Sequence, residues 1–290
     1  MPEWLTQLWK RLNPFGPRDP LVAVVRLHGP IGIQQTPFAQ NLTLAGLAST
    51  LSRAFSMGGV TAVALVINSP GGAAAQSALI HKRIRALAKE KHLKVFAFCE
   101  DVAASGGYML ACAADEIFAD DSSIVGSIGV ISGGFGFDKL IEKIGVDRRI
   151  YATGDSKDML DPFRPEKPED IAHLKSLQQR VYDAFVAMVK ERRGTKLKGD
   201  EKELFSGAFW SGVQAKEMGL IDGLGDVRSV MRATFGEDVR LRVVNADRLW
   251  WRRSAPLSGE APAGGLPGFG WAQGLIAALE TRALWGRYGL

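Results

Sequence analysis

Three short stretches of this chain hold residues whose type and spacing could do chemistry. The first is Asn68-Ser69-Pro70-Gly71-Gly72. Two adjacent glycines let main-chain N–H groups face an incoming oxygen without side-chain obstruction. If a helix follows, its N-terminus adds partial positive charge. Such a turn suits a tetrahedral oxyanion, a phosphate, or simply a tight corner. The second stretch is Asp101-Val102-Ala103-Ala104-Ser105-Gly106-Gly107-Tyr108. Ser105 sits there among small residues with room for a carbonyl, so it reads either as a nucleophile or as a helix N-cap followed by glycines for close packing.

A serine nucleophile needs a base. None of the four histidines is well placed to be one. His81 and His92 flank a charged helical run, His173 lies in a long amphipathic helix, and His28 ends a strand, where a cap or turn role is commoner. The GxSxG, SxxK, HExxH and Walker patterns are absent, which removes the usual hydrolase and nucleotidase readings. The third stretch supplies Lys157, inside the aperiodic segment 153–168. A lysine serves as a base only where apolar walls and a polar partner favour its neutral form. Asp155 and Asp158 beside it would favour the charged form, and a solvated lysine is the plainer alternative.

The elements that must position these residues follow from periodicity. Residues 21–28 and 60–67 are Val-rich apolar runs, the pattern of buried parallel strands. Between them Leu44, Leu47, Ala48, Leu51 and Phe55 repeat at helical spacing, which completes a βαβ unit. A helix over about 74–90, a strand over 94–99, a helix from about 105, and strands over 116–119 and 124–131 continue the alternation. A 169–193 helix carries its apolar stripe from Ile171 to Val189. The expected fold is α/β with a largely parallel sheet. Three segments are expected: an amphipathic N-terminus over 1–20, a main domain over 21–245, and a linker with a Trp-containing helix over 246–290. Within the last, residues 254–270 turn to Ser, Pro and Gly, and the helix falls at about 271–286.

Bulk properties add boundaries. The 290 residues are 46% hydrophobic, enough for one large core, and the formal charge of +5 is spread without a basic block, so no nucleic-acid partner is expected. Cys99 and Cys112, the only cysteines, read as buried free thiols rather than a disulfide, which fits a reducing, cytoplasmic setting. No stretch reaches the roughly 18 apolar residues of a membrane span, and no signal peptide is recognisable. Trp4, Leu5, Leu8, Trp9 and Leu12 share a helical face near cations. That pattern suits peripheral contact with the inner membrane or docking on protein.

The motifs INSPGG (67–72), AASGGYML (103–110), VGSIGV (125–130), the lysine ahead of DPFRP (157 and 161–165) and WSGVQAKEMGLIDGLG (210–225) resemble, in this order, the signal peptide peptidase A family of Ser/Lys peptidases. The resemblance covers roughly residues 21–240. It implies a ClpP/crotonase-type fold, with Ser105 as nucleophile, Lys157 as general base and Ser127 orienting the lysine. Gly71, Gly72 and Gly106 become the oxyanion-hole candidates. It also implies peptide substrates, among them cleaved signal peptides, no cofactor or metal, and a homo-oligomer whose sites are shared between subunits. The chain departs from the family pattern at Ser156, where an aromatic is common, in lacking the usual N-terminal membrane anchor, and in its Trp-rich tail. Two other classes remain open on fold analogy: a crotonase-type acyl-thioester enzyme, and a non-catalytic scaffold binding membranes or partners.

Overall fold

The computed structural model describes residues 19–32, 41–154, 156–244 and 282–289. The expected amphipathic segment at 1–20, apart from the strand entry at 19–20, the linker at 254–270 and residues 271–281 of the expected C-terminal helix lie outside these residues.

The sheet is built on β1 (Leu21–His28), β2 (Val60–Ser69) and β3 (Lys94–Ala104). Its order runs β6-β5-β3-β2-β1-β8, with β4 paired to β3 and β7 to β4. Here β4 is Glu116–Ala119, β5 Ile124–Gly126, β6 Phe209–Ser211, β7 Gly223–Leu224 and β8 Arg240–Val243. Every pairing is parallel except β5 with β6. The α/β class with a largely parallel sheet is therefore what these residues adopt.

The apolar runs are near-continuous because both faces of the sheet are covered. On one face Ala23, Val25 and Leu27 of β1 meet α1 (Leu44–Phe55), α2 (Ala74–Lys91) and α3 (Gly106–Ala111) in the main core. On the other, Val22, Val24, Ala64, Val66 and Phe96 pack with Met231 of α8 (Val227–Phe235). Between these lie α4 (Asp138–Lys143), α5 (Pro168–Arg193), α6 (Glu201–Leu204) and α7 (Gly212–Glu217). Burying the Leu or Ile side chains of such a core contributes roughly 1.5–3 kcal/mol each.

Two strand boundaries differ from expectation, each for a local reason. β3 continues beyond Cys99 to Ala104 even though Glu100 and Asp101 interrupt the apolar run. Those carboxylates sit at the exposed strand edge and are satisfied there, Glu100 by His28 Nε2 at 2.9 Å and Asp101 by the Asn68 amide. β5 stops at Gly126 instead of reaching 131, because Gly126 (φ +114°) and Ser127 (φ +52°) leave the extended region. Both cysteines are free and buried, and burial pushes each thiol up to about 12.

Candidate active site

The extra length of β3 delivers Ser105 to its position. Val102, Ala103 and Ala104 pair with Ile124, Val125 and Gly126, and the Ser105 N–H donates to the Gly126 carbonyl at 2.8 Å. The chain then turns sharply into α3, with Ser105 at φ +53°, ψ −121°. Left-handed φ values are costly for a residue with a Cβ, of order 1–3 kcal/mol. An N-cap serine would adopt extended dihedrals and bond the helix amides with its hydroxyl. Ser105 does neither, because its side chain makes no capping bond. The strained backbone instead presents the hydroxyl to a cleft.

That cleft, about 810 Å³, is lined by Ser105, Ser127, Gly72 and Gly106 together with apolar side chains that include Met109, Ile131, Tyr182 and Phe185. Ser127 is nearly buried, and its own left-handed backbone is pinned by its N–H donating to the Ala208 carbonyl at 2.7 Å. The structure thus gathers both serines singled out by sequence on one cavity wall.

The glycines divide by role. Ile31 N–H donates to the Gly71 carbonyl at 2.8 Å and Ala73 N–H donates to the Ile31 carbonyl at 2.7 Å. In a parallel pairing of this register the intervening Gly72 turns its own N–H away from Ile31. Gly106 opens α3, where the helix offers its amide no acceptor. Gly72 and Gly106 both line the cleft, and among the described residues neither N–H has a main-chain acceptor. Gly71 does not line the cleft, and its N–H is taken by Ser69 Oγ at 3.2 Å. Its contribution is space, since a Cβ there would lie 2.8 Å from Ser105 Cβ and 2.7 Å from the Gly106 nitrogen.

Lys157 stands apart. It is exposed, in the turn that follows Gly154, and it does not line the cleft. Asp158, the neighbour able to hold it as an ion pair, is engaged instead by Arg164 at 2.7 Å and Lys167 at 3.6 Å. Asp155 lies outside the described residues. The lysine-bearing loop packs on the segment before it: Phe137 N–H donates to the Pro162 carbonyl, Phe137 and Phe163 stack at 5.6 Å, and Arg148 pairs with Asp161 at 3.3 Å. Together they form an arm that leaves Phe135, Leu140, Ile144, Val146 and Tyr151 exposed.

Sequence reasoning missed the cleft's other contributors, Gln178, Gln179 and Lys175 of α5 and Leu284 and Arg287 of the C-terminus. A signal existed for α5, because its apolar stripe is longer than the core needs. Phe185 and Val189 are buried, whereas Leu177 and Val181 remain exposed. Among the described residues no cluster of His, Cys, Asp or Glu is arranged to hold a metal.

Comparison with known proteins gives four findings. A model of Peptidase family S49 matches residues 87–238. The chain is 51% identical over 291 aligned residues to a Brucella abortus protein named Na(+)/H(+) antiporter NhaA, covering 99% of this chain and 39% of that protein. It is 37% identical over 166 residues to a putative signal peptide peptidase SppA of Enterococcus faecium, covering 57% of this chain and 48% of that one. Among solved structures, the 1510-N membrane-bound stomatin-specific protease aligns with a TM-score of 0.49 and 15% identity, over 79% of this chain and 100% of its own. The chain thus spans less than half the length of both relatives.

Proposed function

Because this chain belongs to peptidase family S49, we propose that it is a serine endopeptidase in which Ser105 is the nucleophile and Lys157 the general base. The observation that carries the reading is the Ser105 backbone: a left-handed, uncapped serine at the strand-to-helix turn, facing a cleft that the Gly72 and Gly106 amides also line. Ser105 Oγ attacks the scissile carbonyl and its proton passes to the lysine amine. The carbonyl oxygen becomes an oxyanion held by the two amides. As the tetrahedral adduct collapses, the lysine returns the proton to the leaving amine. Water, deprotonated by the same amine, then releases the acyl group from Ser105. Ser127 orients the lysine. No cofactor enters these steps.

The amine comes from a neighbouring copy. Lys157 is exposed on an arm whose apolar side chains are left uncovered among the described residues, and a second copy laid on them would hide those side chains while bringing a lysine to Ser105. Apolar lining such as Met109, Ile131 and Phe185 suits short apolar or unfolded peptides, cleaved signal peptides among them. The antiporter name belongs to the Brucella relative. No described helix here is long and apolar enough to cross a membrane, so a transport reading draws nothing from these residues.

Hydrolysis of fluorogenic apolar peptides tests the proposal. Ser105→Ala and Lys157→Ala are each expected to lose at least about a thousandfold in kcat/KM. Ser127→Ala should lower kcat without abolishing it. A serine-directed acylating probe should add its mass to Ser105 and to no residue of the Ser105→Ala protein. Undiminished cleavage by either alanine variant of the dyad overturns the assignment.

A further inference from the structure

One wall of the cleft comes from a part of the chain that the family match does not reach. Residues 282–286 are helical and run into a turn at 287–289. This short piece has two faces at the same three-residue spacing. Trp285 and Tyr288 face the domain: Tyr288 is buried with Val102 and Ala104, the β3 residues leading to Ser105, and meets Phe209 edge-on at 5.2 Å, while Trp285, partly buried, packs against that same cluster. Leu284 and Arg287 instead line the cleft that holds Ser105. The aromatic pair thus anchors the helix on the nucleophile's own strand, and the anchoring places a leucine and an arginine beside the substrate.

The charge of the cleft gives that arginine a purpose. Among the described residues that line the cleft there is no carboxylate, and the cations are Arg287 and Lys175. Among the described residues neither has an ion-pair partner. Unneutralised cations beside low-dielectric walls focus a positive potential, and a guanidinium fork matches a carboxylate. Resting on the peptidase reading, we infer that the C-terminal helix is a specificity element of this site, and that Arg287, with Lys175, receives a carboxylate of the peptide substrate.

That carboxylate has two sources, a free peptide C-terminus or an Asp or Glu side chain. Four versions of one apolar peptide separate them: free C-terminus, amidated C-terminus, and amidated peptides carrying Asp or Asn at the same position. The wild-type kcat/KM is expected to favour one carboxylate form over its neutral twin by about tenfold. Arg287→Gln should bring that ratio close to one, and Lys175→Gln should reduce it. Binding of the same peptides to Ser105→Ala protein, followed by fluorescence anisotropy, should show the same preference, and Ser105→Ala/Arg287→Gln should lose it. Equal treatment of both pairs by the wild type, or a preference that survives Arg287→Gln, overturns the inference. If wild type cuts none of the peptides, the peptidase reading fails, and the anisotropy arm still decides the carboxylate site: a preference lost with Arg287 upholds it, and no preference ends it.

Discussion

Ser105 is held in a conformation that brings it no local benefit, since its hydroxyl caps nothing and its φ of +53° is strained. The surrounding backbone enforces it, through the bond to the Gly126 carbonyl on one side and the close approach of Gly71 on the other. Gly71→Ala tests that packing. The new Cβ would enter a backbone at φ +92° and press on Ser105 and the Gly106 amide. A loss of roughly 1–3 kcal/mol in unfolding free energy is expected, with a fall in kcat larger than any change in KM. Thermal unfolding together with peptide kinetics reads both, and an unchanged kcat would mean that Gly71 does not shape the site. At this scale the residue types were legible in the sequence but their backbone state was not. A serine before two glycines fits a cap as well as an elbow, and only the dihedrals and the missing capping bond separate the two.

At the scale of elements, the helices behind the site are tied to the sheet by buried polar groups. Arg193, at the end of α5, is buried and donates to the Gly219 carbonyl and to both oxygens of Asp222, at 2.7 and 3.2 Å. Burial alone would raise the Asp222 pKa, but hydrogen bonds from Arg193, Lys196 and the Ile117 N–H outweigh it and hold the carboxyl below its usual range. Arg193→Met leaves that carboxylate with a half-exposed lysine as its remaining cationic partner, so a loss of about 3 kcal/mol in stability is expected, read from denaturant midpoints. A loss below about 0.5 kcal/mol would show the pair to be replaceable.

His81 of α2 gives the fold an acid sensitivity. Burial lowers its pKa first, the hydrogen bond to the Cys112 carbonyl opposes this, and Arg192, Arg85 and Lys82 lower it further, to about 4. Among the described residues its Nε2 has no hydrogen-bond partner. As pH falls below 6.5 the unfolded chain takes up the proton before the folded one does. Stability is therefore full above 6.5 and is lost between 6.5 and about 4, by roughly 3 kcal/mol from this group. Urea midpoints at pH 7.5 and 4.5 should differ more for wild type than for His81→Phe, and equal slopes would remove His81 from the account. The βαβ core was legible because long apolar runs repeat at clear periods. The strands β6, β7 and β8 were not: they are two to four residues long, and unlike β4 they do not continue the strand–helix alternation, so their neighbours in the sheet fix them.

Taken whole, the site as proposed is divided. Both serines and the Gly72 and Gly106 residues line one cleft, whereas Lys157 lies on an exposed arm whose apolar side chains are uncovered among the described residues. Sequence supplied the lysine through motif order alone, because nothing in the types or spacing of residues 153–168 says which chain's Ser105 it serves. The C-terminal wall was illegible for a related reason. Trp285 falls in the expected Trp-containing helix at 271–286 and Tyr288 just past it, but a pattern of apolar residues does not say which surface will receive it.

The central claim is that one copy's Ser105 works with another copy's Lys157, and mixing two inactive variants tests it most directly. Ser105→Ala and Lys157→Ala proteins, dissociated and reassembled together at equal amounts, should recover activity at about a quarter of their sites, those pairing an intact serine with an intact lysine across an interface. Each variant reassembled alone should remain inactive. A mixture as inactive as its components, in particles verified to contain both chains, would contradict the account.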